Sequence, residues 1–133
     1  MRLSDALLIS DLPYEIAFSY PGTDDDLETG TDLVSFTFPY GFEIYSTYAS
    51  VSTAPAGSDI IVDINVDDSS IYTTNLLHID DGDTTSYGSS TTPNITTTTV
   101  PAGQVMTVDI DQVGSGTAGK QIIVGVIGKR IAP

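Results

Sequence analysis

One short unit occurs twice in this chain and limits what the chain can fold into. Pro55-Ala56-Gly57 is followed after four residues by Val62-Asp63-Ile64, and Pro101-Ala102-Gly103 is followed after four residues by Val108-Asp109-Ile110. A Pro-x-Gly turn that leads into alternating apolar and polar residues is typical of an antiparallel strand entered from a turn. The doubled unit therefore predicts an all-β fold with two equivalent hairpin halves.

The alternation of apolar and polar residues gives both units a phase. Successive side chains of a strand point to opposite faces of a sheet, so the valines and isoleucines should face the core. Asp63 and Asp109 should then face outward, as solvated charges and not as catalysts. The apolar positions that alternate with largely polar neighbours are Ile60, Val62, Ile64 and Val66 in the first unit and Met106, Val108 and Ile110 in the second.

Further strand patterns end at breaks rich in Gly, Pro or Asp. They cover residues 14–20, 33–38, 42–53, 70–74, 94–100 and 121–127, which brings the total to about eight strands. Parallel sheets would need helical crossovers that this sequence does not offer. We therefore predict an antiparallel two-sheet sandwich, with a jelly roll as the favoured form, in a single domain over residues 13–133. Residues 1–12 are predicted as a terminal arm or a short helical turn, and a frayed terminus is the alternative.

The charge distribution is one-sided. The chain has 18 acidic residues, four Lys and Arg residues and a net charge of −14, and no Lys or Arg lies between Leu3 and Gly119. Such a surface repels phosphate groups, so no nucleic-acid partner is predicted. No apolar run approaches the roughly 18 residues that cross a bilayer, so no membrane partner is predicted either. The acidic surface either serves solubility or meets the basic end, Lys120 to Arg130, of a neighbouring subunit or partner.

Two acidic stretches suggest a calcium hypothesis. Residues 23–32 are predicted as a mobile acidic loop, and Asp80-Asp81-Gly82-Asp83 forms a second cluster. Calcium takes about six to eight oxygen ligands, and neither stretch has the full ligand pattern of an EF-hand loop. Solvated acidic turns are the simpler explanation, so no metal site and no cofactor are predicted.

No set of residues singles out a catalytic site. His78 is the one histidine, it lies among apolar residues, and the chain has no cysteine. A lone histidine in such a context is more often a packed or surface strand residue than a base. Residues 114–119 are rich in glycine but lack the Gly-Lys-Ser/Thr ending of a phosphate loop, so a hairpin connection explains them better. The chain is predicted not to be an enzyme.

Tyrosines are the stronger functional lead, because their amphipathic rings suit both sugar stacking and protein interfaces. Tyr45 and Tyr48 are the candidates for a glycan-binding or interface role. Strict alternation places Tyr45 and Thr47 on one face of a strand and Tyr48 on the other. The alternative is that most tyrosines pack at the edges of the sandwich with their hydroxyls in water.

Several strand and turn residues of the second half form a pattern with a known counterpart. They are the stretch from Val51 to Ile64, Ser70-Ile71-Tyr72, Pro101-Ala102-Gly103, the stretch from Val108 to Ser115, and Gly119 before a final strand. This pattern resembles a β module of structural proteins of tailed bacteriophages, over about residues 51–128. The shared pieces mark a fold more than a chemistry. The resemblance implies a component of the virion without fixing its place in the particle.

A small, acidic, all-β chain of this kind fits a capsid decoration or cement protein on the outer surface of the virion. The expected partners are the major capsid protein or another virion protein, and further copies of the chain in a trimer or dimer. The alternative is a tail fibre or baseplate module that recognises host surface carbohydrate through Tyr45 and Tyr48, and a neck component is a third candidate. The residues expected at the protein contacts are Arg2, Leu3, Leu7, Leu8, Lys129 and Arg130.

Overall fold

The part of the chain that the structure describes consists of β-strands and their connections. This computed structural model describes residues 13–131 and contains no helix in that range. The described residues accordingly include no helix that could cross a membrane. The strands are β1 (Pro13–Tyr20), β2 (Gly30–Thr37), β3 (Gly41–Thr53), β4 (Ile60–Val66), β5 (Ser69–Ser70), β6 (Leu77–Ile79), β7 (Thr99–Val100), β8 (Val105–Gln112) and β9 (Lys120–Ile131).

The nine strands of residues 13–131 form two antiparallel sheets. In sheet A the order is β1-β9-β3-β7. In sheet B the order is β2-β8-β4, and both β5 and β6 pair with the edge of β4 that β8 leaves free. The chain changes sheet at every connection except those among β4, β5 and β6, which gives the strand order of a jelly roll. The predicted all-β antiparallel sandwich is confirmed, with one strand more than expected.

The core lies between the two sheets and is supplied by alternate positions of the long strands. Burial of these apolar side chains is the main favourable term in folding. A row of rings extends the core, with centroids 5.0 Å apart between Phe36 and Phe38 and 5.4 Å apart between Phe38 and Phe42. The buried apolar side chains of the three central strands are Ile60, Val62, Ile64 and Val66 in β4, Met106, Val108 and Ile110 in β8, and Ile122, Val124 and Val126 in β9.

The repeated unit does not form two hairpin halves, so that prediction is wrong. Its copies lead into β4 and β8, and these two strands pair with each other in sheet B, with Asp63 directly opposite Asp109. Because the strands are antiparallel, an approximate two-fold axis passes through the aspartate pair, and the two Pro-Ala-Gly turns lie at opposite ends of the sandwich. The pairs on either side of this centre are Val62 with Ile110 and Ile64 with Val108.

Two predicted strands are shorter than expected. In place of one strand over residues 70–74, sheet B contains the short β5 and β6. Of the strand predicted over residues 94–100, Thr99 and Val100 pair in a ladder, and their partners on β3 are Phe42 and Glu43. The preceding threonines have high β propensity. Their backbone bonds go elsewhere, because Ile95 forms a bridge with Tyr72 and the Thr96 N–H donates to the Ile71 carbonyl at 2.8 Å, so high propensity does not extend the ladder.

The acidic loop predicted to be mobile is held by the core. In the acidic loop of residues 23–32, Leu27 is buried in the core and its N–H donates to the carbonyl of Gly119 at 2.9 Å. The loop is therefore anchored at its middle.

Residues 114–119 join β8 in sheet B to β9 in sheet A, so they connect the two sheets and do not form the predicted hairpin.

Candidate interaction surfaces

The basic end of β9 contains the predicted contact residues that the structure describes. Lys129 is half-buried, and Arg130 is exposed, with its guanidinium carbon 4.9 Å from the centre of the Tyr40 ring. This is a cation–π geometry, and it positions the charge at the start of β3. The contact role of these residues stays a prediction. The other predicted contact residues, Arg2, Leu3, Leu7 and Leu8, lie outside the described residues.

A β-bulge in β3 places Tyr45 and Tyr48 on the same face of sheet A, so their predicted placement on opposite faces is wrong. The register between β3 and β9 shifts at Tyr45, which has no partner residue and is 52% exposed. A bulge of one residue reverses the alternation that follows it. Thr47 therefore points inward, where its hydroxyl is hydrogen-bonded to that of the buried Tyr72 at 2.7 Å. Tyr48 is left on the outer face.

Tyr48 connects three strands across the outer face of sheet A. Its ring lies directly over Gly125 of β9, where any Cβ would overlap the ring atoms. Its hydroxyl donates a hydrogen bond to the carboxylate of Glu15 on β1. This hydrogen bond is the main cause that raises the pKa of Tyr48, and partial burial adds to it. Tyr48 is thus a structural tie as well as a surface residue.

A groove of about 380 Å³ lies beside β3 and is lined by Tyr48 and by a loop that runs from Ser86 to Pro93. The N–H of Ser86 donates to the carbonyl of Ala49, and the N–H of Ala49 donates to the Ser86 hydroxyl, both at 2.9 Å. Tyr87 follows in this loop and is 90% exposed. Among the described residues it is the most exposed large apolar side chain, and its residue type alone did not separate it from the other tyrosines.

The aspartates of the acidic cluster at residues 80–83 accept hydrogen bonds from neighbouring loops. Asp80 accepts hydrogen bonds from the Ser90 N–H at 2.8 Å and the Ser89 hydroxyl at 2.7 Å, and these bonds lower its pKa. Asp81 accepts a hydrogen bond from the Gly57 N–H at 3.0 Å. Across residues 13–131, no group of three or more His, Asp or Glu side chains could hold a metal ion. Nothing in this range supports the calcium hypothesis.

His78 lies on β6 and contacts a carboxylate. Its Nδ1 is 3.1 Å from the carboxylate of Asp59, whose other oxygen accepts the Asp81 N–H at 2.8 Å. A hydroxyl nucleophile needs a base within hydrogen-bonding reach. Within the described residues, His78 is hydrogen-bonded to the carboxylate of Asp59 and not to a hydroxyl group. The arrangement therefore links the loop before β4 to the loop after β6.

The outer face of sheet B carries the aspartates of the repeated unit. Asp63 accepts a hydrogen bond from the Ser70 hydroxyl, and Asp109 accepts one from the Asp32 N–H at 2.8 Å. Burial raises the pKa of Asp63 and of Asp111, and repulsion from the neighbouring aspartates adds to both shifts. The predicted outward direction of Asp63 and Asp109 is therefore correct. They are, however, hydrogen-bonded and partly buried instead of freely solvated.

The fold defines the class of this protein as an all-β jelly roll with an acidic surface. No known protein-family model matches the chain, and no curated protein matches it either. The resemblance of residues 51–128 to virion proteins of tailed bacteriophages therefore stays a prediction. Function has to be argued from the surfaces of the described residues.

Proposed function

We propose that this chain is a structural protein of a bacteriophage virion, a capsid decoration or cement protein that binds the outer surface of the shell through protein–protein contacts. The observation that supports this most is the jelly-roll strand order, because this architecture is frequent in viral capsid proteins. The region whose sequence resembles virion modules, about residues 51–128, supplies β4 to β8 and most of β9 of this order. Since a fold alone does not determine a function, the surface has to supply the contact.

The charge distribution supports a specific contact over a general one. The net charge of −14 keeps free copies soluble and apart until a matched surface overcomes the repulsion. Every Lys and Arg of the described residues lies on β9, at Lys120, Lys129 and Arg130. Because β9 is paired on both sides, by β1 and β3, these side chains project from a rigid strand. The Lys129–Arg130 end is the contact proposed for the capsid protein or for an adjacent copy in a trimer or dimer.

Binding of the purified full chain to shells that lack it tests this proposal. Saturable co-sedimentation with the shells is expected, together with many copies per virion in quantitative mass spectrometry. Lys129→Glu combined with Arg130→Glu should weaken shell binding at least about tenfold. Lys120→Glu, at the other end of the same strand, makes the same charge change as Lys129→Glu alone, so it is the matched control for that single variant and should bind normally. Absence of binding, or a copy number of a few per particle, would overturn the decoration role.

The groove beside β3 favours a second candidate function, a tail-fibre or baseplate module that binds host carbohydrate. An exposed ring next to hydroxyl groups suits sugar recognition, and Tyr87 supplies the ring while serines and threonines of the same loop supply the hydroxyls. On a glycan array, binding that Tyr87→Ala removes and Tyr45→Ala retains would support recognition, because Tyr45 is not part of the groove lining. An array without signal supports decoration.

A further inference from the structure

A recess on the outer face of sheet B is lined by three aspartates, of which the sequence singled out Asp32 alone, as the last residue of the acidic stretch 23–32. It has a volume of about 550 Å³ and lies where β2, the start of β8 and the turn between β4 and β5 meet. Asp32 belongs to β2, and Asp67 and Asp68 form the turn. The remaining lining residues are Ser35, Val105 and Thr107.

The backbone holds these three aspartates in place. Asp32, Asp67 and Asp68 have φ angles of 52°, 47° and 67°, in the left-handed region that aspartate tolerates better than most residues. Asp67 is tied to β8 twice, because its N–H donates to the Val105 carbonyl at 2.9 Å and its Oδ1 accepts the Val105 N–H at 3.1 Å. Its other carboxylate oxygen, and the carboxylates of Asp32 and Asp68, remain available as acceptors within the described residues.

Thr107 adds an independent indication that a group enters this recess. It lines the recess and is 7% exposed, and its Oγ1 is buried without a hydrogen-bond partner among the described residues. Buried hydroxyls without a partner are uncommon in native proteins. A rotation of Thr107 about χ1 would bring this oxygen to the recess, where an entering polar group can supply the partner.

The charge of the recess selects a cation. No Lys or Arg occurs in β2 to β8, so nothing on these strands neutralises the three carboxylates. No group of three such carboxylates in the described residues could hold a metal ion, whereas a recess of about 550 Å³ has room for a long side chain. An ammonium or guanidinium group, with several N–H donors, suits a recess lined by carboxylate acceptors.

The chain itself carries such groups on the opposite sheet. Lys129 and Arg130 lie at the end of β9 in sheet A, and Arg130 is exposed. We propose that the aspartate recess of one copy binds the Lys129–Arg130 end of β9 from a second copy. This pairing rests on the oligomer proposed above and not on its place in the virion. It gives the acidic and the basic surfaces of the protein complementary roles.

Sedimentation velocity of the full chain over a concentration series tests the pairing. An oligomer that weakens as salt rises is expected, because exposed charge pairs are screened. Asp68→Asn, which keeps a residue that tolerates the left-handed backbone, should raise the dissociation constant about tenfold or more. Ser35→Lys introduces an ammonium group at the recess and should have the same effect. Ser19→Lys, an exposed serine on β1 of sheet A, is the control with the same charge change.

A double-mutant cycle tests the identity of the occupant. Arg130→Glu alone should weaken self-association, and Ser35→Lys combined with Arg130→Glu should weaken it by clearly less than the sum of the two single effects, since both substitutions act on the same contact. Melting curves verify that each variant is folded. A monomer at every concentration would overturn the proposal, and so would association that Asp68→Asn and Ser35→Lys leave unchanged. If these variants lose shell binding but self-associate like the wild type, the recess binds another protein and the self-pairing is refuted. Normal shell binding by a monomeric wild type refutes the pairing and leaves the decoration role intact.

Discussion

Replacing Asp63 with Asn should stabilise the protein at pH 7, because Asp63 lies directly opposite Asp109 in the sheet. No Lys or Arg of β2 to β8 compensates this pair of like charges. The substitution removes one of the two charges and keeps an oxygen that can accept the hydrogen bond from Ser70. The gain therefore comes from electrostatics, with the shape of the side chain nearly unchanged.

The register of β4 and β8 allows the size of this effect to be worked out. Residues directly opposite each other in an antiparallel pair have Cβ atoms about 5 Å apart. Two unit charges at about 5 Å in a dielectric of about 80 repel by about 0.8 kcal/mol, and cross-strand pairs contribute roughly 0.2–1 kcal/mol. For this partly exposed pair we expect Asp63→Asn to gain about 0.5 kcal/mol. In a chain of this length that raises the Tm by about 2 °C.

The gain in stability from Asp63→Asn should depend on pH. Burial, with the charge of Asp109 adding to it, raises the pKa of Asp63 above the ordinary value of 3.8. The stability that protonated Asp63 contributes is fully present below the pKa of the unfolded chain and is lost as pH rises through the raised pKa of the folded state. The wild type and Asp63→Asn should therefore differ at pH 7 and become about equally stable at about pH 3.5.

Thermal melts followed by circular dichroism in low salt, at pH 7 and at about pH 3.5, measure the difference in stability between the wild type and Asp63→Asn. Asp24→Asn is the matched control, because it removes the same charge from an exposed loop. Hydrogen bonds lower the pKa of Asp80 in both proteins, so acid weakens that contribution equally and the difference between the variants is the quantity to compare. An equal gain from Asp24→Asn, or a loss of stability in Asp63→Asn at pH 7, would refute repulsion across the strand pair.

Three further predictions concern packing, and urea unfolding measures all of them. Gly125→Ala pushes a Cβ into the ring of Tyr48 and should destabilise the protein by about 1–3 kcal/mol. Tyr72→Phe leaves the Thr47 hydroxyl without its partner and should cost about 1–2 kcal/mol, most of which Tyr72→Phe combined with Thr47→Val should recover. Ile64→Ala, at a position without exposed surface, should cost about 2–5 kcal/mol by leaving a cavity. A change below about 0.5 kcal/mol in any single variant contradicts the contact assigned to it.

The sequence is sufficient to predict the sandwich but not its pairing. Alternation over residues 60–66 and 106–110 predicts two strands with one buried face, because a period of two is a local property. That these strands pair with each other depends on the packing of the whole sheet, and the repeat suggested hairpin halves instead. A single extra residue at Tyr45 reverses the faces that follow it, and no local pattern marks the bulge.

For the candidate surfaces, too, the sequence predicts the chemistry of single residues but not which residues lie together. Exposed charge on Arg130 and aromatic character at Tyr45 can be recognised from residue type alone. The recess depends on bringing Asp32 beside Asp67 and Thr107, which are distant along the chain and become neighbours through the pairing of β2, β8 and β4. Residue chemistry is therefore predictable from the sequence, whereas the juxtaposition of residues follows from the topology.

The place of β9 in sheet A has a consequence for synthesis of the chain. β1 pairs along its length with β9, and β3 pairs with the other edge of the same strand, so this sheet cannot be completed until β9 has left the ribosome. Sheet B has all its strands once Gln112 has been made. Folds dominated by long-range strand pairing form slowly. A nascent chain therefore holds β1 unpaired, and β3 paired with the short β7 alone, until a single late step, and truncation before residue 120 would leave one sheet with its apolar face exposed.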